Sequence, residues 1–90
     1  MLKIEVAEQS GQSTILHLEG VVTGPWVEEL KDSCTAALAG AGRLTLDLAG
    51  VSFLSREAVS LISALTDRGV AVRNCSTFVA AQLDVSKEGA

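Results

Sequence analysis

Hydrophobic and polar residues alternate along three stretches of the chain. Apolar residues stand two positions apart at 2–7 (Leu2, Ile4, Val6), at 13–20 (Leu16, Leu18) and at 43–48 (Leu44, Leu46, Leu48). Because successive side chains of a strand point to opposite faces, this period of two predicts three half-buried strands. Turn-forming residues at 9–12 join the first two strands, so we expect an antiparallel hairpin there. A short fourth strand is predicted at 70–73.

Between these strands, apolar residues recur at spacings of three and four, the period of a helix that is buried on one side. The first helix is predicted at 25–39, where the opening proline suits a first turn. The second is predicted at 56–68, after Ser55, whose side chain is suited to cap it. A third helix is expected at 77–83, followed by a tail at 84–90.

These elements predict an α/β fold of order β-β-α-β-α-β-α, with a four-stranded mixed sheet in the strand order 1-2-3-4. Right-handed crossovers that step in one direction place both main helices on one face of the sheet. The alternating strands agree, since a sheet covered on both faces shows continuous apolar runs. We expect one domain over 2–83 and a tail over 84–90. The predicted core comprises Val27, Leu30, Leu44, Leu46, Leu48, Leu61, Ile62 and Leu65.

Composition narrows the possible partners. The 90 residues carry a net charge of −4, and their seven basic residues are scattered, which argues against a nucleic-acid partner. No apolar run approaches the roughly 20 residues needed to span a bilayer. The N-terminal stretch also lacks the continuous apolar region of a signal peptide. We therefore expect a cytoplasmic protein with no direct insertion into a membrane.

The sequence offers little for catalysis or metal binding. His17 is the only histidine, and the spacing of Cys34 and Cys75 matches no zinc or redox motif. The glycines at 40–42 precede a strand, the reverse of a nucleotide-binding turn. We expect no metal, no cofactor and no catalytic residue, and hence no enzyme. Thiol chemistry at either cysteine is the remaining enzymatic alternative.

The stretch from Asp47 to Ala58 reads DLAGVSFLSREA, predicted as a strand ending at Asp47 and Leu48, a turn at Gly50, and a helix start. This layout resembles the STAS domain of bacterial anti-sigma factor antagonists, over roughly residues 2–83. That resemblance implies a non-enzymatic signalling module whose partner is an anti-sigma factor or a serine kinase of the switch-protein class. It also implies a role for Asp47 in the partner-binding surface, against the alternative of a solvated carboxylate at a strand end.

The family typically reads Asp-Ser-Ser-Gly at the helix start, and this chain reads Ser55-Arg56-Glu57-Ala58. We predict that this tetrad is the centre of the partner-binding surface. Glu57 replaces the serine that is usually phosphorylated, so that switch cannot operate there. Glu57 either favours the helix dipole or partly imitates phosphoserine. Ser55 is either the helix N-cap or a displaced phosphoacceptor. Arg56 pairs with a partner's carboxylate or is simply solvated.

Three further hypotheses concern binding. Trp26, in a first helical turn and off the apolar stripe, is a candidate interface anchor. A second functional hypothesis is a small STAS subunit that docks on the ATPase of a lipid-exporting or solvent-tolerance ABC transporter, since such subunits often depart from the tetrad. Finally, the family commonly adds another strand and helix after the third helix, for which this sequence leaves little room. An uncovered sheet edge would favour a homodimer.

Overall fold

The structure, a computed structural model, describes residues 2–88, with side chains for all of these except 41 and 84–88. The order β-β-α-β-α-β-α is confirmed. The elements are β1 (Leu2–Gln9), β2 (Ser13–Val22), α1 (Pro25–Ala41), β3 (Arg43–Leu54), α2 (Arg56–Asp67), β4 (Ala71–Arg73) and α3 (Thr77–Glu88).

The strands form one mixed sheet in the order β1-β2-β3-β4, as predicted. β1 and β2 are antiparallel, and β2, β3 and β4 run parallel. Ser10 closes the hairpin: its backbone N–H donates to the carbonyl of Ser13 at 2.8 Å, and its hydroxyl accepts from the Ser13 N–H at 3.1 Å. The antiparallel register shifts between Val6 and Glu8, so β1 carries a bulge at Ala7.

All three helices lie in one layer. α1 packs on β2 and β3 and touches α2, while α2 touches α3, which also packs on β3. The helices therefore share one face of the sheet, as predicted for α1 and α2. No described element covers the other face, where the charged residues of the strands lie. The core between sheet and helices is aliphatic, and its most completely buried side chains are Leu18, Val22, Leu30, Cys34, Leu46, Leu48, Leu54, Ile62 and Val79.

Two of the predicted core residues are only half-buried. Val27 lies in the first turn of α1. Leu61 lies at the border of the helical arc formed by Ala58, Ile62 and Leu65. Both pack against the core with one side left in solvent, whereas the six other predicted core residues are buried.

The third strand is longer than predicted. β3 continues to Leu54, so Asp47 lies near its middle, and Gly50 is a strand residue. A Cβ on Gly50 would lie 2.6 Å from Cγ of Glu19 and 3.0 Å from the carbonyl oxygen of Leu18. Glycine is required here because β2 approaches closely, and the prediction of a turn was wrong for this reason.

Two helices extend beyond their predicted ends. α1 reaches Ala41 and is capped by Gly42, whose φ is 78° and whose N–H donates to the carbonyl of Leu38 at 3.1 Å. α3 reaches Glu88, so 84–88 of the predicted tail belong to a helix, while 89–90 lie outside the described residues. Within the described part of the chain, no helix has the length and apolarity needed to cross a membrane.

Candidate partner-binding site

The tetrad lies at the N-terminus of α2. Ser55 is the N-cap: its backbone is extended, and its hydroxyl accepts a hydrogen bond from the Ala58 N–H at 3.2 Å. The Ser55 N–H donates to the carbonyl of Val22 at 2.9 Å, which ties the start of α2 to β2. The turn is thus held by both neighbouring elements. Arg56 and Glu57 extend from it into solvent.

Ala58 does not belong to the exposed surface. Its exposed fraction is 0%, because the fourth residue of the tetrad falls on the core-facing side of α2. Its backbone N–H is already used by the Ser55 cap. The predicted contact between Ala58 and a partner is therefore corrected: the side chain that a partner could reach belongs to Arg56 or Glu57.

An exposed aromatic pair lies beside the tetrad. The rings of Phe53 and Phe78 are stacked with centroids 6.3 Å apart and an angle of 24° between their planes. They remain 41% and 55% exposed. Together with Arg56 they border an open groove of about 500 Å³. We call this the aromatic groove, and its lining residues are Phe53, Leu54, Arg56, Val59, Phe78, Ala81 and Gln82.

One side chain holds the two walls of the aromatic groove together. The Gln82 amide nitrogen donates to the carbonyl of Leu54 at 2.8 Å, and its amide oxygen accepts from the Leu54 N–H at 3.1 Å. This two-point bond fixes α3 against the end of β3. The aromatic pair is therefore presented by rigid elements.

Sequence reasoning missed Phe53 and Phe78. The available signal was that they are two of only three aromatic residues in the chain. Phe78 also lies one residue before Val79, a buried position of α3, and so falls off the core-facing side of that helix.

Trp26 is half-buried and packs against the core, so only part of its ring is available to a partner. It lies just after the carboxyl end of β2, and α2 starts at the carboxyl end of the parallel strand β3. Val22 pairs with Leu54 at these strand ends. Trp26 and the tetrad therefore share one end of the sheet, which is where parallel α/β folds commonly bind ligands.

Asp47 is remote from the tetrad. Eight positions along β3 separate it from Ser55, and at about 3.3 Å per residue the two lie roughly 25 Å apart. Asp47 is on the face of the sheet that no helix covers, and it is only 9% exposed. The predicted strand end at Asp47 and Leu48 was wrong, because β3 continues to Leu54, and Asp47 therefore does not lie beside the tetrad.

The environment of Asp47 favours the carboxylate. The Ala49 N–H donates to its Oδ1 at 3.0 Å. That backbone bond, with a smaller contribution from Asn74, lowers the pKa of Asp47, while partial burial acts in the opposite direction. Nδ1 of His17 and a guanidinium nitrogen of Arg73 lie 3.7 and 3.8 Å from its Oδ2, and both also favour the charged form.

These groups belong to a line of polar residues across the sheet. Glu5, His17, Asp47 and Arg73 stand directly opposite one another on β1, β2, β3 and β4, and we call them the charged row. Nε2 of His17 also lies 3.3 Å from Oε1 of Glu19. The carboxylate of Asp47 thus stands between the imidazole of His17 and the guanidinium of Arg73, and such cross-strand neighbours stabilise each other locally.

No catalytic pair involves the buried cysteine. Cys34 lies in the core under the helices, while His17 lies on the opposite face of the sheet. Burial raises the pKa of the Cys34 thiol to about 11, which keeps it protonated and unreactive at neutral pH. Among the side chains that the structure describes, no cluster of three or more His, Cys, Asp or Glu residues could hold a metal.

The comparisons with known proteins agree with this architecture. A family model described as "Mlab, STAS domain" matches residues 6–87, nearly the full chain. The chain therefore belongs to the STAS domain family. No curated protein matches it.

Solved structures show the same fold. The unphosphorylated anti-sigma factor antagonist SpoIIAA matches with a TM-score of 0.74 and 16% identity, over 97% of this chain and 83% of that one. An anti-sigma factor antagonist from Mycobacterium paratuberculosis matches with a TM-score of 0.70 and 17% identity, over 99% and 82%. A match to the protein Mglu, at 30% identity and a TM-score of 0.57, covers 73% of this chain and 18% of that one.

Proposed function

We infer that this protein is a non-enzymatic regulatory module that binds a partner protein through the end of the molecule formed by the tetrad and the aromatic groove. The observation that carries this inference is the exposed Phe53–Phe78 stack beside Arg56. Aromatic residues and arginine are the side chains that most often dominate binding energy at protein interfaces. Contiguous exposed apolar patches commonly mark interaction sites.

The function that fits best is that of an anti-sigma factor antagonist with a degenerate phosphorylation motif. Its partner would be an anti-sigma factor or a switch-protein serine kinase in the cytoplasm of a bacterium, and its effect would be on transcription. Membership of the STAS family and a fold shared with two anti-sigma factor antagonists support this assignment. Trp26, at the same end of the sheet, would contribute its exposed part as an additional anchor.

Phosphorylation in this proposal is restricted to Ser55. Glu57 is exposed but has no hydroxyl, so it cannot accept a phosphate. The hydroxyl of Ser55 sits at a helix N-terminus, where free N–H groups and the helix dipole favour a phosphate. Modification there would replace the bond to the Ala58 N–H and add negative charge next to Arg56.

A second candidate function is that of a small STAS subunit docked on the ATPase of an ABC transporter. Two observations favour it: the family model that matches is the Mlab one, and the tetrad has glutamate at the usual phosphoacceptor position. The same surface would serve this function, because the aromatic groove is the exposed apolar surface beside the tetrad. The two candidates therefore differ in the partner and not in the site.

The test is affinity capture from the native host, with the partner identified by mass spectrometry. The bait variants are the unchanged protein, Arg56→Glu, and Arg68→Glu as a control with the same charge change at the far end of α2. We expect the unchanged protein and the control to retain an anti-sigma factor or a switch kinase, and Arg56→Glu to lose about tenfold in affinity, or about 1.4 kcal/mol.

Recovery of a transporter ATPase would select the second candidate. Equal capture by all three baits, with thermal midpoints unchanged, would show that the tetrad is only a helix cap.

A further inference from the structure

The edge of the sheet at β1 has no partner strand among the described residues. β1 is hydrogen-bonded to β2 on one side only, because the strand order is β1-β2-β3-β4. The opposite edge, β4, is three residues long, whereas β1 has eight. A long edge presents a row of N–H and carbonyl groups to which another strand can add.

The apolar side of β1 becomes progressively more exposed along the strand. Leu2 is buried, Ile4 is half-buried and Val6 is 58% exposed. Val6 is one of three large apolar side chains that the described structure leaves exposed, and the other two form the aromatic pair. Val6 lies on β1, apart from the aromatic pair, so it marks a second uncovered apolar site.

Only a short part of β1 pairs regularly with β2, and this part is centred on one residue. The ladder with β2 runs without interruption from Leu2 to Val6, and the bulge at Ala7 then shifts the register. Bulges commonly terminate strand pairing. The usable edge therefore comprises five residues with Ile4 at their centre.

The sequence of this segment is complementary to itself in one orientation. In an antiparallel pair centred on Ile4, Lys3 stands opposite the partner's Glu5, and Leu2 stands opposite the partner's Val6. Parallel pairing in register would instead place lysine beside lysine and glutamate beside glutamate. An antiparallel pair slipped by one residue would put Ile4 beside the partner's Glu5 and turn the two helix layers to opposite faces.

We propose that two copies of this chain associate through β1, antiparallel and with the two-fold axis at Ile4, to form one continuous eight-stranded sheet. Both helix layers then lie on the same face, and Val6 is covered by the partner's Leu2. The charges select the register rather than supply the affinity, because Lys3 and Glu5 already form an exposed ion pair at 2.7 Å within one chain. A five-residue edge is small beside the roughly 1,000 Å² of a stable interface, so association occurs at high protein concentration.

This dimer goes beyond the proposed function and uses a different surface. β1 is at one edge of the sheet, separated by β2 from the strand whose end carries the aromatic groove. A dimer could thus present two copies of the partner-binding site at once. The two proposals are independent, so a result that contradicts one does not contradict the other.

Sedimentation equilibrium from micromolar to millimolar protein tests the dimer. We expect the mass of the unchanged protein to rise from 9.3 kDa towards twice that value. Lys3→Glu makes both central charged pairs repulsive and should weaken association about tenfold. The double variant Lys3→Glu with Glu5→Lys restores the complementary pattern and should recover dimerisation. Arg68→Glu changes the net charge as Lys3→Glu does, at the C-cap of α2 and away from this edge, and should associate like the unchanged protein.

A disulfide gives an independent measurement. In an antiparallel pair centred on Ile4, the two Ile4 Cα atoms face each other at a separation that a disulfide can span. Ile4→Cys should form a covalent dimer on mild oxidation, while Glu8→Cys, beyond the bulge, should not. A chain that stays at 9.3 kDa at all concentrations, a double variant that does not regain dimerisation, or equal cross-linking at both positions would overturn the proposal.

Discussion

The tetrad end of the molecule and the open face of the sheet are both uncovered by described elements, but their chemistry is opposite. The tetrad end exposes two stacked phenylalanines and Arg56, which has no ion-pair partner among the side chains described. The open face exposes the charged row, in which Asp47 lies within 4 Å of both His17 and Arg73.

This difference indicates which surface gains more from a partner. Covering the phenylalanine rings removes apolar surface from water, which stabilises a complex by about 25 cal/mol per Å². Arg56 can form an ion pair with a partner's carboxylate without breaking an existing pair. A partner on the charged row would have to compete with pairs that already exist and with water. Asp47, buried among these pairs, therefore contributes to the stability of the sheet, whereas the aromatic groove is available for recognition.

The largest effect that separates the two surfaces is expected from Phe78→Ser. Removing the more exposed ring of the stack should weaken binding of the captured partner by about 2 kcal/mol, roughly 30-fold, as for other aromatic anchors. The thermal midpoint should change little, since the ring is 55% exposed. Isothermal titration calorimetry and a thermal melt measure the two quantities.

Val6→Ser is the matched control for that experiment. Val6 is 58% exposed and lies on β1, away from the aromatic groove. At protein concentrations too low for self-association, its loss should leave partner affinity unchanged. Equal weakening by both variants would mean that general surface hydrophobicity, and not the aromatic groove, drives binding.

A smaller effect, on stability, is expected from Ser55→Ala. The variant removes the N-cap hydrogen bond to the Ala58 N–H and should lower the free energy of unfolding by about 1 kcal/mol. Ser55→Asp keeps an acceptor oxygen at the cap and should retain most of the stability. Urea unfolding of both variants provides the measurement, and equal losses would show that the hydroxyl does not cap α2.

The smallest effect is expected from Asp47→Asn, and it should be present at neutral pH and disappear in acid. Because the pKa of Asp47 is lowered in the folded state, its contribution is complete above the ordinary aspartate pKa of about 3.9 and is lost as the pH falls through the folded value. The difference in urea midpoint between the unchanged protein and Asp47→Asn should therefore shrink below about pH 4. Asp32→Asn, on the exposed side of α1, makes the same charge change away from the row. A difference that is constant with pH would contradict the stabilising role of the carboxylate.

The order of the elements was predictable because periodicity reports directly on which side of a strand or helix is buried. The alternation around Leu16, Leu46 and Leu48 determined both the strands and the single helix-covered face. The end of β3 was not predictable in this way. Gly50 is compatible with a turn and with close approach of a neighbouring strand, and only the position of Glu19 decides between them.

The candidate site was predictable only in part. Ser55 as an N-cap follows from local chemistry, and so does the exposure of Arg56 and Glu57. The aromatic pair does not, since Phe53 and Phe78 are far apart in the chain and meet only because α3 packs against the end of β3, where Gln82 bonds to Leu54. Contacts of this kind depend on tertiary packing, which no local pattern encodes.

Hydrogen–deuterium exchange of the protein, free and with its captured partner, tests most directly whether the tetrad and the aromatic groove form the binding surface. We expect new protection at 53–59 and 77–82, with little change at 3–5, 17–19 and 45–47 on the open face. Protection of the open face, with exchange at the aromatic groove unchanged, would contradict the assignment of the partner-binding site.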